Sequence, residues 1–441
     1  MPSNPLRPLW RARQSGHTHR VAVLVTLGLT AAACATTPAA KAPVEPRVLG
    51  QQKGTPAVVG QPAPVGTGQL DAVTCADAAH CWAVGAPGAA AAAATGTTSS
   101  VLPTTAAVID ATVNGGMTWT AQAVTLAPAP ALTGVSCPTV RLCMAVGLSG
   151  TGTAGVVLTT SDAGTTWAPA SVPSGAIVVT SLVCAAATDC TAIASDGTAF
   201  WSAHSTDFGR TWEQEGDLPP GFLDAGNLAC APGASCLVTG YTATTAGHGQ
   251  GAIAISTDGG GTWTAATIPA GTGLVQGAVC ATISSCVAVG TTSTTVSAVV
   301  PAKGELLTSD DGGHTWASAT GGPQPVDDMY GVDCPSQSTC AVVGTNWIGT
   351  PAVGTGAVAR SSDGGVTFAA SATEYTPLAL TSLACPTAQR CVAVGGDTVA
   401  RITLANATSA SRRGGSSHTP PGSTVPLATG PINPARAARA R

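Results

Sequence analysis

The sequence predicts an all-β protein, a seven-bladed β-propeller of four-stranded antiparallel blades with one disulfide per blade. Three observations carry that expectation. Fourteen of the 15 cysteines fall into seven doublets of one spacing. Six copies of a second, glycine-containing motif lie between consecutive doublets. The composition is 9% charged and 4% aromatic with 54 Gly and abundant Thr, which suits short strands and tight turns better than helices.

The doublets are Cys75/Cys81, Cys137/Cys143, Cys184/Cys190, Cys230/Cys236, Cys280/Cys286, Cys334/Cys340 and Cys385/Cys391, each with five residues between. They recur every 46 to 62 residues, a period of internal repetition. Apolar residues stand five and two positions before the first cysteine, as Leu132 and Val135 do, and an apolar run ending in Gly follows the second, as in the segment to Gly290. The pattern reads as two short buried strands joined by a disulfide-pinned hairpin, the first leading into the doublet and the second leaving it. Zinc sites bring cysteines closer together and complete four ligands with further Cys or His. Here each repeat offers two cysteines without the further ligands that would complete four, so disulfides are expected and no metal or cofactor is.

The second motif occupies residues 112–119, 160–167, 205–212, 256–263, 309–316 and 361–368, with the common form S/T-x-D-x-G-x-T-W. Its Asp is expected to accept hydrogen bonds from turn N–H groups, and its Gly to supply a left-handed residue. Its Thr should start the next strand and its Trp should be buried between neighbouring sheets. Asp162, Asp207, Asp258, Asp311 and Asp363 are therefore expected to be structural. Asn114 replaces Asp in the first copy and Phe368 replaces Trp in the last. The motif resembles the Asp-box, or bacterial neuraminidase repeat, of sialidase-like and photosystem II assembly factor-like propellers, over residues 70 to about 405. The resemblance implies a propeller; a role in assembly follows from it by analogy alone.

Each repeat of about 50 residues then holds four strand candidates, the pattern of a propeller blade. The last repeat lacks its fourth strand, and residues 57–65 are the candidate to supply it, hiding the sheet edge. The chain divides into a signal peptide at 1–33, a Pro/Thr/Ala-rich stalk at 34–69, the propeller at 70–408 and a basic tail at 409–441. Residues 21–33 form an apolar run behind an Arg-containing stretch, the form of an export signal and too short to span a bilayer comfortably. Residues 29–34 resemble a bacterial lipobox, with Ala31 where Leu is usual, and Cys34 is the one cysteine left over after pairing. The expectation is an extracytoplasmic lipoprotein held to the cell membrane through acylated Cys34, or otherwise a secreted protein.

Function is less legible. Between the Arg-rich ends lie nine basic and all 22 acidic residues, a net charge of −13, which argues against nucleic acid as partner. Turns between strands one and two and between strands three and four share one propeller face, so disulfides and aspartate turns staple that face. The opposite face, built from 2–3 loops and blade connections, is expected to carry function. Candidates there are Asp217, Asp224, Asp327, Asp328, Tyr330, Trp347 and Tyr375, with Glu213, Glu215, Glu374 and His248 beside them. Aromatics ringed by carboxylates suit a protein or glycan partner of the cell envelope. A sialidase needs three Arg on inner strands, but Arg141 and Arg390 lie in cysteine loops and Arg210 lies in an aspartate turn. The expected function is a non-catalytic binding propeller; the alternative is a glycoside hydrolase with an atypical carboxylate site.

Overall fold

A computed structural model of the chain describes residues 57–62, 68–87, 107–122, 124, 126, 128–231, 235–243, 249–292, 303–319, 326–348, 353–370 and 379–404. The described residues contain strands and turns and no helix. No described helix is long and apolar enough to cross a membrane.

Seven four-stranded antiparallel sheets follow one another as blades. Blade 1 comprises Gln69–Cys75, Cys81–Ala86, Val108–Thr112 and Thr120–Ala121. Blade 2 comprises Ala131–Ser136, Cys143–Leu148, Gly155–Thr160 and Ala168–Pro169; blade 3 comprises Val178–Cys184, Cys190–Ser195, Phe200–Ser205 and Glu213–Asp217. Blade 4 holds Phe222–Ala231, Ser235–Ala243, Gly249–Ser256 and Thr264–Ala265, and blade 5 holds Leu274–Cys280, Cys286–Thr291, Gly304–Ser309 and Ala317–Ser318. Blade 6 holds Asp328–Asp333, Cys340–Ile348, Val353–Ser361 and Ala369–Ala370. Blade 7 takes Ser382–Thr387, Arg390–Gly395 and Thr398–Thr403 from the C-terminal part, and Ala57–Pro62 as its outer strand. That closing strand pairs Ala57 with Thr403 and Pro62 with Thr398. The first strand of every blade touches the first strands of both neighbours, blade 7 touching blade 1, so the ring is closed.

Packing follows the apolar pattern. Strand faces from adjacent blades interdigitate, as where Trp82, Val84 and Ile109 of blade 1 meet Leu132, Ala145 and Leu158 of blade 2. All seven disulfides form: Cys75–Cys81, Cys137–Cys143, Cys184–Cys190, Cys230–Cys236, Cys280–Cys286, Cys334–Cys340 and Cys385–Cys391. For so short a loop, chain entropy makes each bridge worth about 2 kcal/mol. Seven disulfides suit an oxidising, extracytoplasmic compartment.

The hairpin of blade 4 corrects one detail of the expected pattern. In blades 1, 2, 3, 5 and 6 the second strand opens at its cysteine, as expected. Blade 4 opens its second strand at Ser235, one residue ahead of Cys236. Small residues flank the bridge there, and Ala231 pairs with Ser235 just as Cys230 pairs with Cys236, so the ladder runs one pair past the disulfide. Cys236 itself is buried at the seam with blade 3, among Ile193, Leu228 and Val238. Blade 7 does the same with Arg390, one residue ahead of Cys391.

Inner strands carry a feature that the cysteine doublets frame. In blades 1 to 6 the pairing of the first two strands slips by one residue four positions before the first cysteine, a β-bulge. Beside the bulge the first strand presses on the glycine four positions after the second cysteine. A Cβ on Gly85, Gly147, Gly240, Gly290 or Gly344 would lie within 2.0 Å of a first-strand carbonyl oxygen, and one on Gly395 within 2.0 Å of the Ala379 carbonyl. Only glycine fits in these six blades. The bulge also turns polar groups toward the next blade. Thr133 donates to the Val179 carbonyl, Thr180 to that of Ala225 and Thr381 to that of Leu70. Cys184 N–H donates to Ser136 Oγ, and Cys385 N–H to Asp333 Oδ2.

The fourth strands correct another expectation. The motif Thr does not start them: they begin after the Trp, and in blades 1, 2, 4, 5 and 6 they are two residues long. The Thr is held in the turn instead, bonded to the motif carboxylate. Burial of the motif Trp is also uneven. Trp263 and Trp316 are buried, whereas Trp119, Trp167 and Trp212 are half-buried.

Candidate ligand-binding face

One face is locked by local hydrogen bonds. In each Asp-containing motif the leading Ser or Thr hydroxyl donates to the carboxylate and accepts the N–H of the motif glycine, as Ser256 does with Asp258 and Gly260. The same carboxylate accepts both the N–H and the hydroxyl of the motif Thr, as Asp207 does from Thr211. These donors hold Asp207 and Asp258 at a pKa of about 2, well below the ordinary 3.8. The turns lean on the cysteine loops of their own blades: Gly115 N–H donates to the Ala79 carbonyl, Ala163 to Arg141, Phe208 to Thr188, Gly312 to Ser284 and Gly364 to Ser338. Disulfides and aspartate turns therefore share a face. The turn also needs two successive left-handed residues. Four copies place Gly at the first, while Ala163 and Phe208 occupy it at φ of 63° and 59°.

The opposite face is raised at two blades. The second and third strands of blade 4 run nine and eight residues and those of blade 6 run nine each, against six for the second strands of blades 1, 2, 3 and 5. At the blade 6 hairpin three candidates meet. Trp347 Nε1 donates to Asp328 Oδ2 at 2.8 Å, and Trp347 N–H donates to Asp327 Oδ2 at 2.9 Å. Asp327 N–H donates in turn to Asn346 Oδ1 at 3.1 Å. Asp328 is buried, while Asp327 and Trp347 are half-buried. The two carboxylates thus fix an indole and the backbone that carries it.

The remaining candidates are dispersed. Tyr330 lies in the same blade, half-buried at the bulge of its first strand. Asp224 lies in the first strand of blade 4, flanked by two register shifts and paired with Tyr241. Asp217 is exposed on the outer strand of blade 3, opposite Trp201. Tyr375, Glu374 and His248 lie outside the described residues. Glu213 and Glu215 do not belong to this face. Glu213 pairs with His204, next to the residue that opens the aspartate turn, and His204 stands 2.7 Å from Asp189 and 3.6 Å from Glu215. An outer strand that begins at the turn and runs five residues places its first acids near the disulfide end.

Two contributors were not singled out from sequence. Asn346 holds the lead-in to blade 6, and nothing beyond its place before Trp347 marks it. Glu305, the second residue of the third strand of blade 5, accepts Gly273 N–H at 2.8 Å, and burial raises its pKa. The described residues contain no group of three or more His, Cys, Asp and Glu that could hold a metal.

No protein-family model matches the chain, and no curated protein is significantly similar in sequence. Solved structures are similar in fold. YCF48 bound to D1 peptide superposes with a TM-score of 0.54 at 14% identity, over 79% of this chain and 97% of that one. YCF48 from Cyanidioschyzon merolae gives 0.51 at 14% identity, over 78% and 98%. A catalytically inactive virginiamycin B lyase from Staphylococcus aureus with quinupristin gives 0.55 at 10% identity, over 79% and 100%. The likeness is one of fold. These folds carry a lyase as well as a peptide-bound protein, so the shared scaffold does not choose between catalysis and binding.

Proposed function

We propose that this chain is a non-catalytic, extracytoplasmic propeller, tethered through acylated Cys34, that binds a protein or glycan of the cell envelope at the face opposite the disulfides. The observation that carries it is the Trp347 arrangement. Two adjacent carboxylates are committed to orienting one aromatic side chain, an anchor of the kind that dominates recognition surfaces. YCF48, whose fold is similar, is bound to a peptide in one of these structures.

A glycoside hydrolase would need two carboxyls facing each other, one with a raised pKa. Among the described residues the carboxyls with raised pKa lie in three different blades: Asp110 in blade 1, Glu305 in blade 5 and Asp333 in blade 6. Glu305 and Asp333 already accept backbone N–H groups. This distribution favours binding over hydrolysis.

The test is in-cell cross-linking of the full chain followed by mass spectrometry of what is captured. An abundant partner whose cross-links map to the hairpins of blades 4 and 6, and which is lost in the Trp347→Ala variant, supports the proposal. Capture that survives Trp347→Ala, or that maps to the disulfide face, overturns it.

A further inference from the structure

Blade 7 ends differently from the other six. Its outer strand is Ala57–Pro62, six residues paired one for one with Thr398–Thr403 and without a register shift. The outer strands of blades 1, 2, 4, 5 and 6 are two residues long. That of blade 3 runs five residues, but it carries Glu213, Glu215 and Asp217, and its pairing slips between Trp201 and Ala203. Shortness, charge and irregularity are devices that keep a sheet edge from pairing with another chain. The strand AVVGQP has none of these: it holds no charged residue, and Val59 near its middle is 54% exposed. Proline is a further device, and here Pro62 stands at the last position, where it ends the strand without interrupting it. Among the described residues no strand pairs with the outer edge of Ala57–Pro62.

Alternate residues of an edge strand point N–H and C=O outward, about 7 Å apart along the chain. One chemistry matches such a row, a second extended backbone. We infer that the outer edge of blade 7 pairs with the same edge of a second copy of this chain, antiparallel about a two-fold axis, so that two blade 7 sheets join into one. The axis falls between Val59 and Gly60. It sets Val59 opposite Gly60, Val58 opposite Gln61 and Ala57 opposite Pro62 of the second copy, and no pair opposes two charges. The rest of the body favours this contact by default. It carries a net charge of −13, so two copies repel where their acidic surfaces meet, and the uncharged edge is where that cost is least. One strand pair is a small interface, so the dimer is reversible. Antiparallel strands also point the two propeller axes in opposite directions. The contact lies on the rim, and the two Trp347 hairpins face opposite ways.

Sedimentation equilibrium of the full chain is expected to show a reversible monomer–dimer equilibrium. Val59→Lys places a charge on the edge and should weaken association at least roughly tenfold, whereas Val59→Thr, uncharged and strand-forming, should keep it. Hydrogen exchange of the wild-type chain needs no variant. Where about nine-tenths of the chains are paired, the outward amides between Val58 and Gln61 should exchange roughly tenfold more slowly than in dilute solution. The inward amides, bonded to Thr398–Thr403, should stay protected at every concentration and so report that the ring remains closed. A chain that stays monomeric up to about 1 mM overturns the inference. A dimer that survives Val59→Lys also overturns it, because an exchange of closing strands, or a contact through another surface, leaves this edge unused. So does a dimer in which exchange of the outward amides does not change.

Discussion

Asp333, at the end of the first strand of blade 6, accepts the backbone N–H of Cys385 in blade 7 at 2.7 Å. Blade 2 makes the same bond to blade 3 with a neutral hydroxyl, Ser136 to Cys184. A carboxylate here is half-buried, and burial pushes its pKa up to about 6 from an ordinary 3.8, against the pull of two backbone N–H groups. The folded state holds the proton more tightly than the unfolded chain does. Its contribution to stability is therefore greatest below pH 4 and falls as pH rises to about 6, by roughly 2–3 kcal/mol. Asp333→Asn keeps an acceptor for Cys385 and should remove this slope. Denaturant midpoints at pH 4 and pH 7 check it: the variant should gain stability at pH 7 and little at pH 4.

Asp110 raises the same effect in a drier place. It is fully buried, neither carboxylate oxygen has a hydrogen-bond partner among the described residues, and burial raises its pKa to about 7. Two positions before the turn, blades 2 and 5 have Leu158 and Leu307, both fully buried, where blade 1 has Asp110. The charged form is penalised, so its contribution to stability declines as pH rises from about 4 to about 7. Asp110→Leu should stabilise the protein at pH 8 by on the order of 2–4 kcal/mol and flatten the upper part of the pH curve. A variant no more stable than the wild type at pH 8 would contradict this account. The aspartate turns act in the opposite sense: Asp207 and Asp258, with pKa of about 2, favour the fold above pH 4 and lose that effect as pH falls toward 2.

Gly290 and Ala194 occupy the same position, four residues after the second cysteine of their blades. A Cβ on Gly290 would meet the Leu274 carbonyl oxygen at 2.0 Å. Gly290→Ala should thus cost about 3 kcal/mol, because backbone must move rather than a side-chain tip. Ala194 is fully buried in blade 3, whose chain already accommodates the methyl group, and Ala194→Gly should cost only about 1 kcal/mol. Thermal unfolding of both variants decides whether the bulge sets this glycine.

Much of the scaffold was readable because its signals are local and repeated. Seven cysteine pairs of one spacing fix seven hairpins, and the missing fourth strand after Thr403 pointed to the segment that closes the ring. The bulge was not readable, since a one-residue slip leaves the apolar pattern on either side intact; only the recurring glycine recorded it. The extra pair beyond Cys236 was hidden for a related reason: the cysteine spacing is the same whether or not the ladder continues past the bridge. Asp110 escaped notice because one acid in an apolar strand looks like a solvent-facing residue until its neighbours are known. The candidate face was legible only in part. Trp347 meets Asp327 and Asp328 because a hairpin folds them together across 19 or 20 residues, whereas Asp217 and Asp224 fall in the sheets of two different blades.

Ala163 is exposed and adopts φ of 63° in a turn where four other blades have glycine. An L-residue held in that region costs about 1 kcal/mol relative to glycine. Ala163→Gly should therefore stabilise, offset in part by the greater freedom of the unfolded chain, for a net gain of about 0.5 kcal/mol. Phe208 shares the conformation but packs against the seam between blades 2 and 3, so Phe208→Gly should destabilise instead. Opposite signs at two equivalent positions would separate backbone strain from packing.

Trp347 distinguishes the two functional readings. Trp347→Phe keeps the ring and removes the indole N–H, so Asp328, buried, loses one donor; a loss of about 1–3 kcal/mol in stability is expected. If the hairpin is a recognition anchor, Trp347→Phe weakens partner capture because the ring is no longer held at one angle, and Asp328→Asn weakens it for the same reason. Asp217→Asn, remote on the outer strand of blade 3, should leave capture unchanged. A hydrolase gives another pattern: any glycoside cleavage by the wild type would disappear in Asp328→Asn or Asp217→Asn while ligand capture persisted. Running the same three variants through capture and through a glycosidase screen therefore separates binding from catalysis, because each reading forbids the pattern that the other requires.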